Sequence, residues 1–153
     1  MKLNYDCVRK ILLFVEENLD YDENEYLSPH KTINNGQLVS RDEFSKYNHQ
    51  EVRYAVEMLI KEGYLECANN INIYEGNINF ANIIGLNWKG HELLNNIRND
   101  TVWNAVKTKA SKYGGLSLGA MMSAANTLAN ALLSDSNAVN NFLHGLENIG
   151  NLF

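Results

Sequence analysis

Arg41, Lys46, His49, Gln50 and Arg53 are the side chains whose types and spacing carry recognisable chemistry. Gln50, with Asn48 two residues before it, can pair with the edge of adenine, and an arginine can pair with guanine. Lysine and arginine also supply the positive charge that a phosphate backbone needs. The competing reading is a solvated helix face, since Glu51, Glu57 and Glu62 share the segment with Arg53.

Other chemistries find less support. None of the four histidines, His30, His49, His91 and His144, lies three or four residues from another His, Cys or paired acid in the way zinc sites need. His91, beside Trp88 at a helix start, reads as a hydrogen-bonded packing residue, and His49 as a surface contact. Gly114-Gly115-Leu116 is not followed by the Gly-Lys-Ser/Thr of a phosphate loop. The acidic run from Asp20 to Glu25 lacks the alternation and terminal glutamate of a calcium loop. No nucleophile elbow and no convincing acid pair is present. The expectation is therefore a non-enzyme with no metal ligands and no cofactor. Cys7 and Cys67 fall on apolar faces and are expected as buried free thiols. A disulfide requires that the fold bring them together and that the compartment not be reducing.

The element that must position the candidate site runs from Asn48 to Cys67. Asn48 can cap a helix, and Glu51 sits where its carboxylate can reach back to the cap's amide. Val52, Ala55, Val56, Leu59 and Ile60 give one apolar stripe at helical spacing. Gly63 can take the left-handed conformation that ends the helix, and Tyr64 to Cys67 follows as a short strand.

Around it, Asn4 to Leu19 reads as a first helix, with Val8, Ile11, Leu12, Val15 and Leu19 on one face. Pro29, the only proline, falls in the loop beyond it. Lys31 to Ile33 reads as a short edge strand, Asn34-Asn35-Gly36 as a turn, and Ser40 to Tyr47 as a brief second helix with a Ser40/Glu43 capping box. After Cys67, a polar turn at Ala68 to Asn70 leads into strands around Ile71 to Tyr74 and Ile78 to Phe80, then a more buried one at Ile83 to Leu86. Further helices are expected from Asn87 to Arg98, Val102 to Tyr113 and Ser117 to Leu133, with a weaker one through Val139, Phe142, Leu143, Leu146 and Ile149.

At 153 residues, 45% hydrophobic and 10% aromatic, the chain can bury a real core. Its formal charge of −5 is unevenly placed: residues 1–99 carry 10 Lys/Arg against 15 Asp/Glu, and residues 100–153 carry 3 against 3. No run approaches the length of a membrane span and the N-terminus lacks the apolar core of a signal peptide, so a cytoplasmic location is expected. Residues 114–153 have no Lys or Arg to meet anionic lipid.

The order helix, short helix, helix, hairpin resembles the winged helix-turn-helix superfamily over residues 4–98. The string Leu86-Asn87-Trp88-Lys89-Gly90-His91-Glu92-Leu93-Leu94, followed by Ile97-Arg98-Asn99-Asp100-Thr101-Val102-Trp103, resembles a family of uncharacterised small proteins of Gram-positive bacteria and their prophages, catalogued as a domain of unknown function. The resemblance implies a phage or mobile-element setting and brings no catalytic residues.

The expected fold is α+β: a winged helix-turn-helix core over residues 1–99 and a C-terminal α-helical extension over residues 100–153. The leading functional expectation is a transcriptional regulator that binds double-stranded DNA through Arg41, Lys46, His49, Gln50 and Arg53, with a wing tip at Asn69-Asn70. The alternative is an acidic module that meets a basic protein partner as a phage accessory or anti-host factor. The small residues Gly119, Ala120, Ala124 and Ala125 allow close helix approach, so a homodimer through residues 117–149 stands beside simple packing within the chain.

Overall fold

A computed structural model of the chain describes residues 1–19, 31–68, 70–135, 137–142 and 144. The acidic run Asp20 to Glu25, Pro29, His30, Asn69, Leu143, Leu146 and Ile149 lie outside the described residues. The protein is α+β, and its chain divides into two compact units, Met1–His91 and Glu92–Phe153. The division falls inside a helix, whereas the sequence places a boundary after Asn99.

In the first unit, α1 (Tyr5–Asn18) is capped by Asn4, whose side chain accepts the Cys7 amide at 3.2 Å. Its inner face buries Cys7, Val8, Ile11, Leu12, Phe14 and Val15. Strand β1 (Ile33–Asn34) runs directly into the five-residue helix α2 (Asn35–Val39), and a single 3-10 turn, Asp42–Phe44, precedes α3 (His49–Lys61). Here the sequence reading is corrected. The second helix lies over Asn35–Val39 and not over Ser40 to Tyr47, and Asn34 is its cap and not part of a turn. Asn34 and Gln37 form the reciprocal capping box. The Ser40 hydroxyl donates back to the Gly36 carbonyl at 3.0 Å, which is how a helix ends and not how one begins.

Helix α3 forms as its sequence dictates. The Asn48 side chain accepts the Gln50 amide at 2.9 Å, and the Glu51 carboxylate accepts the Asn48 amide at 3.1 Å. Val52, Ala55, Val56, Leu59 and Ile60 are buried, and Gly63 turns the chain with φ +71°. Both α1 and α2 pack against α3, and Phe14 meets Phe44 edge to face at 5.5 Å. Replacing Asn48 with alanine removes the side-chain half of the box and leaves the residue-48 amide to Glu51, so a loss of about 1 kcal/mol is expected. A urea midpoint matching the wild type would mean that the helix start is held by something other than this cap.

Strands β2 (Leu65–Cys67), β3 (Asn72–Tyr74), β4 (Asn77–Phe80) and β5 (Asn82–Leu86) complete the unit. They form a three-stranded antiparallel sheet in the order β1-β5-β2 and a separate β3-β4 hairpin. In the sheet Ile83 lies between Ile33 and Cys67, and Leu65 faces Leu86. The Asn35 side chain accepts the Ala81 amide at 3.1 Å, tying the start of α2 to the entry of β5.

The string around Asn87 is a joint. α4 (Trp88–Ile97) begins where the Asn87 side chain accepts the Gly90 amide at 3.0 Å and donates to the Gly63 carbonyl. The Lys89 ammonium donates to the Glu62 carbonyl at 2.8 Å, which places a cation at the negative end of α3. In the second unit, α5 (Asp100–Lys112) is capped by Asn99 and ends at Gly114, φ +73°. α6 (Leu118–Ser134), capped by Ser117, packs on α5 and buries Leu118, Met121, Ala125 and Leu128.

Candidate nucleic-acid interface

The outward stripe of α3 reads Gln50, Arg53, Glu57, Lys61, at helical spacing opposite the buried positions. Its two halves do different jobs. At the C-terminal end, Glu57 and Lys61 pair at 2.6 Å. Both also hold the β3-β4 hairpin: the Lys61 ammonium donates to the Gly76 carbonyl at 2.7 Å, and Glu57 accepts the Ile78 amide at 3.3 Å. Ile78 is buried. The hairpin is thereby strapped to the side of α3, and the charges doing so neutralise each other. Sequence reasoning counted Glu57 as acid set against DNA and missed this role. The signal was its spacing of four residues from Lys61.

The N-terminal half is open. His49, Gln50 and Arg53 are exposed, and so is Lys46, whose ammonium sits 4.8 Å from the centre of the Tyr47 ring. Glu51, the acid nearest to them on the helix, is occupied by the Asn48 amide. Four of the five candidate residues therefore lie at exposed positions within or just before the first turns of one helix. Arg41 is placed differently. Its guanidinium bonds Glu43 at 3.0 Å, stands 5.4 Å from the Phe14 ring centre, and lines a groove with Lys31 and Ile33. The Glu43 backbone amide and the Arg41 guanidinium hold the Glu43 carboxyl below the usual range.

The hairpin turns at Glu75-Gly76, with φ +48° and +78°, so its tip is there and not at Asn69-Asn70. Two consecutive positive φ angles match the twist of a tight hairpin, and Asn70 lies at its base. Between β2 and α4 the chain carries no Lys or Arg.

Burial disfavours the thiolate form of both cysteines. Burial, and secondarily the Glu51 carboxylate, pushes Cys7 up to about 12, and burial with Glu66 pushes Cys67 up to about 11. Both are free, Cys7 buried and Cys67 half-buried. At pH 8 the native protein is expected to react with a thiol reagent far more slowly than the urea-unfolded chain, because the thiolate is the reactive form. An ordinary thiol ionises near 9.0, so between pH 9.0 and about 12 the unfolded chain gives up protons that the folded chain keeps. Stability should fall as pH rises through that window. A Cys7→Ala variant should lose less over the same range, and equal slopes would argue against burial as the cause. Among the described residues no group of three His, Cys, Asp or Glu is placed to hold a metal ion, and no helix is long and apolar enough to cross a membrane.

The fold and this surface define an α+β protein with one capped helix presenting an open polar face beside a strapped hairpin. The chain belongs to the family described as "Hypothetical protein (DUF2513)", which matches residues 2–117, ending at the residue that caps α6. It is similar to an uncharacterised protein of Haemophilus influenzae, with 34% identity over 135 residues that cover 88% of this chain and 100% of that one. No solved structure matches the chain.

Proposed function

We propose that the first unit is a winged helix-turn-helix and that α3 binds double-stranded DNA in the major groove, the protein acting as a transcriptional regulator of phage or mobile-element type. The observation that carries this reading is the topology. β1, between α1 and α2, is an edge of a three-stranded antiparallel sheet whose other strands, β2 and β5, follow α3 and have a hairpin between them. That arrangement leaves the N-terminal turns of the third helix to address base edges, as in helix-turn-helix docking. His49, Gln50 and Arg53 supply the contacts there, and Lys46 supplies phosphate charge.

The test is a titration of the full chain into labelled random-sequence duplex at low salt, followed by selection of preferred sites. Retention at micromolar protein, weakening as salt rises, is the expected result. No retention would sink the proposal.

The acid surplus of residues 1–99 favours a second reading, in which the unit meets a basic protein partner. Under that reading, reversing the charges of Asp20 to Glu25 changes which proteins the chain captures while DNA is ignored throughout.

A further inference from the structure

The hairpin that Glu57 and Lys61 strap to α3 carries an apolar surface that stands exposed among the described residues. Ile73 is 62% exposed and Tyr74 68%, with Ile71 at 42% and Phe80 at 41%. Large apolar side chains clustered on one short hairpin are unlike singly scattered ones, and such clusters mark interaction sites. All three residues of β3 are exposed, and the described strand beside it is β4 alone.

The backbone of β3 points the same way. Tyr74 faces Asn77 across the two-residue turn, and Ile73 faces Ile78. In an antiparallel pair, hydrogen-bonded and non-bonded residue pairs alternate. The pair that closes the turn is bonded, so the Ile73–Ile78 pair is the non-bonded one. The Ile78 amide agrees, since it donates to Glu57 and not across the hairpin. The amide and carbonyl of Ile73 must then face the open side of β3, where they form the start of another ladder. β3 is short and has a bulge between Asn72 and Ile73, but it carries neither the lysine nor the proline that blocks an edge from pairing.

We infer that the outer edge of β3 is where two copies of this chain meet, each laying its β3 antiparallel to the other. Charge selects that occupant. The first unit is acidic, so two copies repel across most of its surface, but residues 67–88 contain a single charged side chain, Glu75. A basic partner would gain nothing from so neutral an edge, and duplex DNA would find no cation on it. A second copy finds a matching apolar row, Ile71 and Ile73 alternating with Asn72. Full overlap of a three-residue strand with itself sets Ile73 opposite Ile73 of the second copy, and the two residues exchange their outward amide and carbonyl bonds. The contact is isologous, so it closes at two copies and leaves no free β3 edge to propagate. It does not depend on the DNA-binding reading.

Light scattering on the full chain without DNA tests it. The wild type should run at twice the 17.3 kDa chain mass at micromolar concentration. An Ile73→Lys/Tyr74→Lys variant should run at the single mass, because charges on both copies then face each other. Both side chains are mostly exposed, so its circular dichroism should match the wild type and its melting should stay cooperative. A Leu133→Lys change, at an 88% exposed site on α6, should leave the double mass intact. A wild type at the single mass overturns the inference. So does a folded hairpin variant that stays at the double mass, and so does a dimer that dissolves on Leu133→Lys alone, which would place the seam on α6.

Discussion

Replacing Gly90 with alanine is expected to cost about 3 kcal/mol, the upper end of what overpacking usually does. A β-carbon built at Gly90 would stand 2.2 Å from the Tyr64 carbonyl oxygen, 3.2 Å from its carbon and 3.3 Å from the Leu86 β-carbon. Two of these neighbours are backbone atoms, so no change of rotamer relieves the clash. The carbonyl cannot move freely either, because it accepts the Asn87 amide at 3.2 Å, while the Tyr64 amide donates to Leu59. The start of α4, the end of α3 and the entry to β2 would all have to part together. For a domain of this size, a loss of about 3 kcal/mol lowers the melting temperature by roughly 10–20 °C. Gly85→Ala is the control. It has no atom within 4 Å of the added carbon and an ordinary φ, so a change of less than about 0.5 kcal/mol is expected. Melting temperatures that match for the two variants would show that the close approach at Gly90 does not exist.

That joint explains why the most specific string of the sequence says so little about activity. Asn87, Lys89 and Gly90 all serve to dock α4 against the end of α3: a side chain that both accepts and donates, a cation on a helix end, and an absent β-carbon. Trp88, 85% exposed, is one member of the string that the joint does not use.

What could be read from sequence was set by local chemistry. The Asn48/Glu51 box and the Gly63 stop each depend on atoms a few residues apart, and both are present. The second helix was misplaced because amide side chains serve turns and helix starts equally well. Asn34 and Gln37 form a box whose second residue is glutamine, while Ser40 and Glu43 only imitate one, since Glu43 pairs with Arg41. What decides between them is partly remote: the Asn35 side chain is held by Ala81, on the far side of α3 and the hairpin in sequence. Alternation likewise identified a strand at Ile71 to Tyr74, but period-two patterning cannot tell whether the apolar side has anything to lie against. Ile78 has α3 beneath it and Ile73 does not. For the candidate site, exposure of His49, Gln50 and Arg53 was legible from the helical period of α3, whereas Lys46 precedes that helix. The position of Arg41 was not, because it precedes the 3-10 turn and depends on Glu43 and Phe14.

Removing Lys46 and Arg53 together should weaken DNA binding on the order of 100-fold at moderate salt, and the two residues should fail in different ways. Arg53 lies on the open stripe of α3, where under the proposed DNA-binding reading a guanidinium would meet a base edge, so Arg53→Ala should cost about 1–3 kcal/mol on preferred sites and relax selection at one position. Lys46 precedes the helix and stands over Tyr47, which suits a phosphate contact. Lys46→Ala should therefore weaken all sequences alike and make the salt dependence shallower by about one counterion. Arg41→Ala is the informative contrast. Its charge is already matched by Glu43, so a much smaller loss is expected than from either of the other two. Anisotropy titrations of the three single variants and the double variant, each at two salt concentrations, separate these outcomes. Equal losses from Arg41, Lys46 and Arg53, each shrinking alike as salt rises, would mean that the open face of α3 is not what touches DNA. Net charge would then be doing the work, and a chain with a formal charge of −5 has none to offer a polyanion.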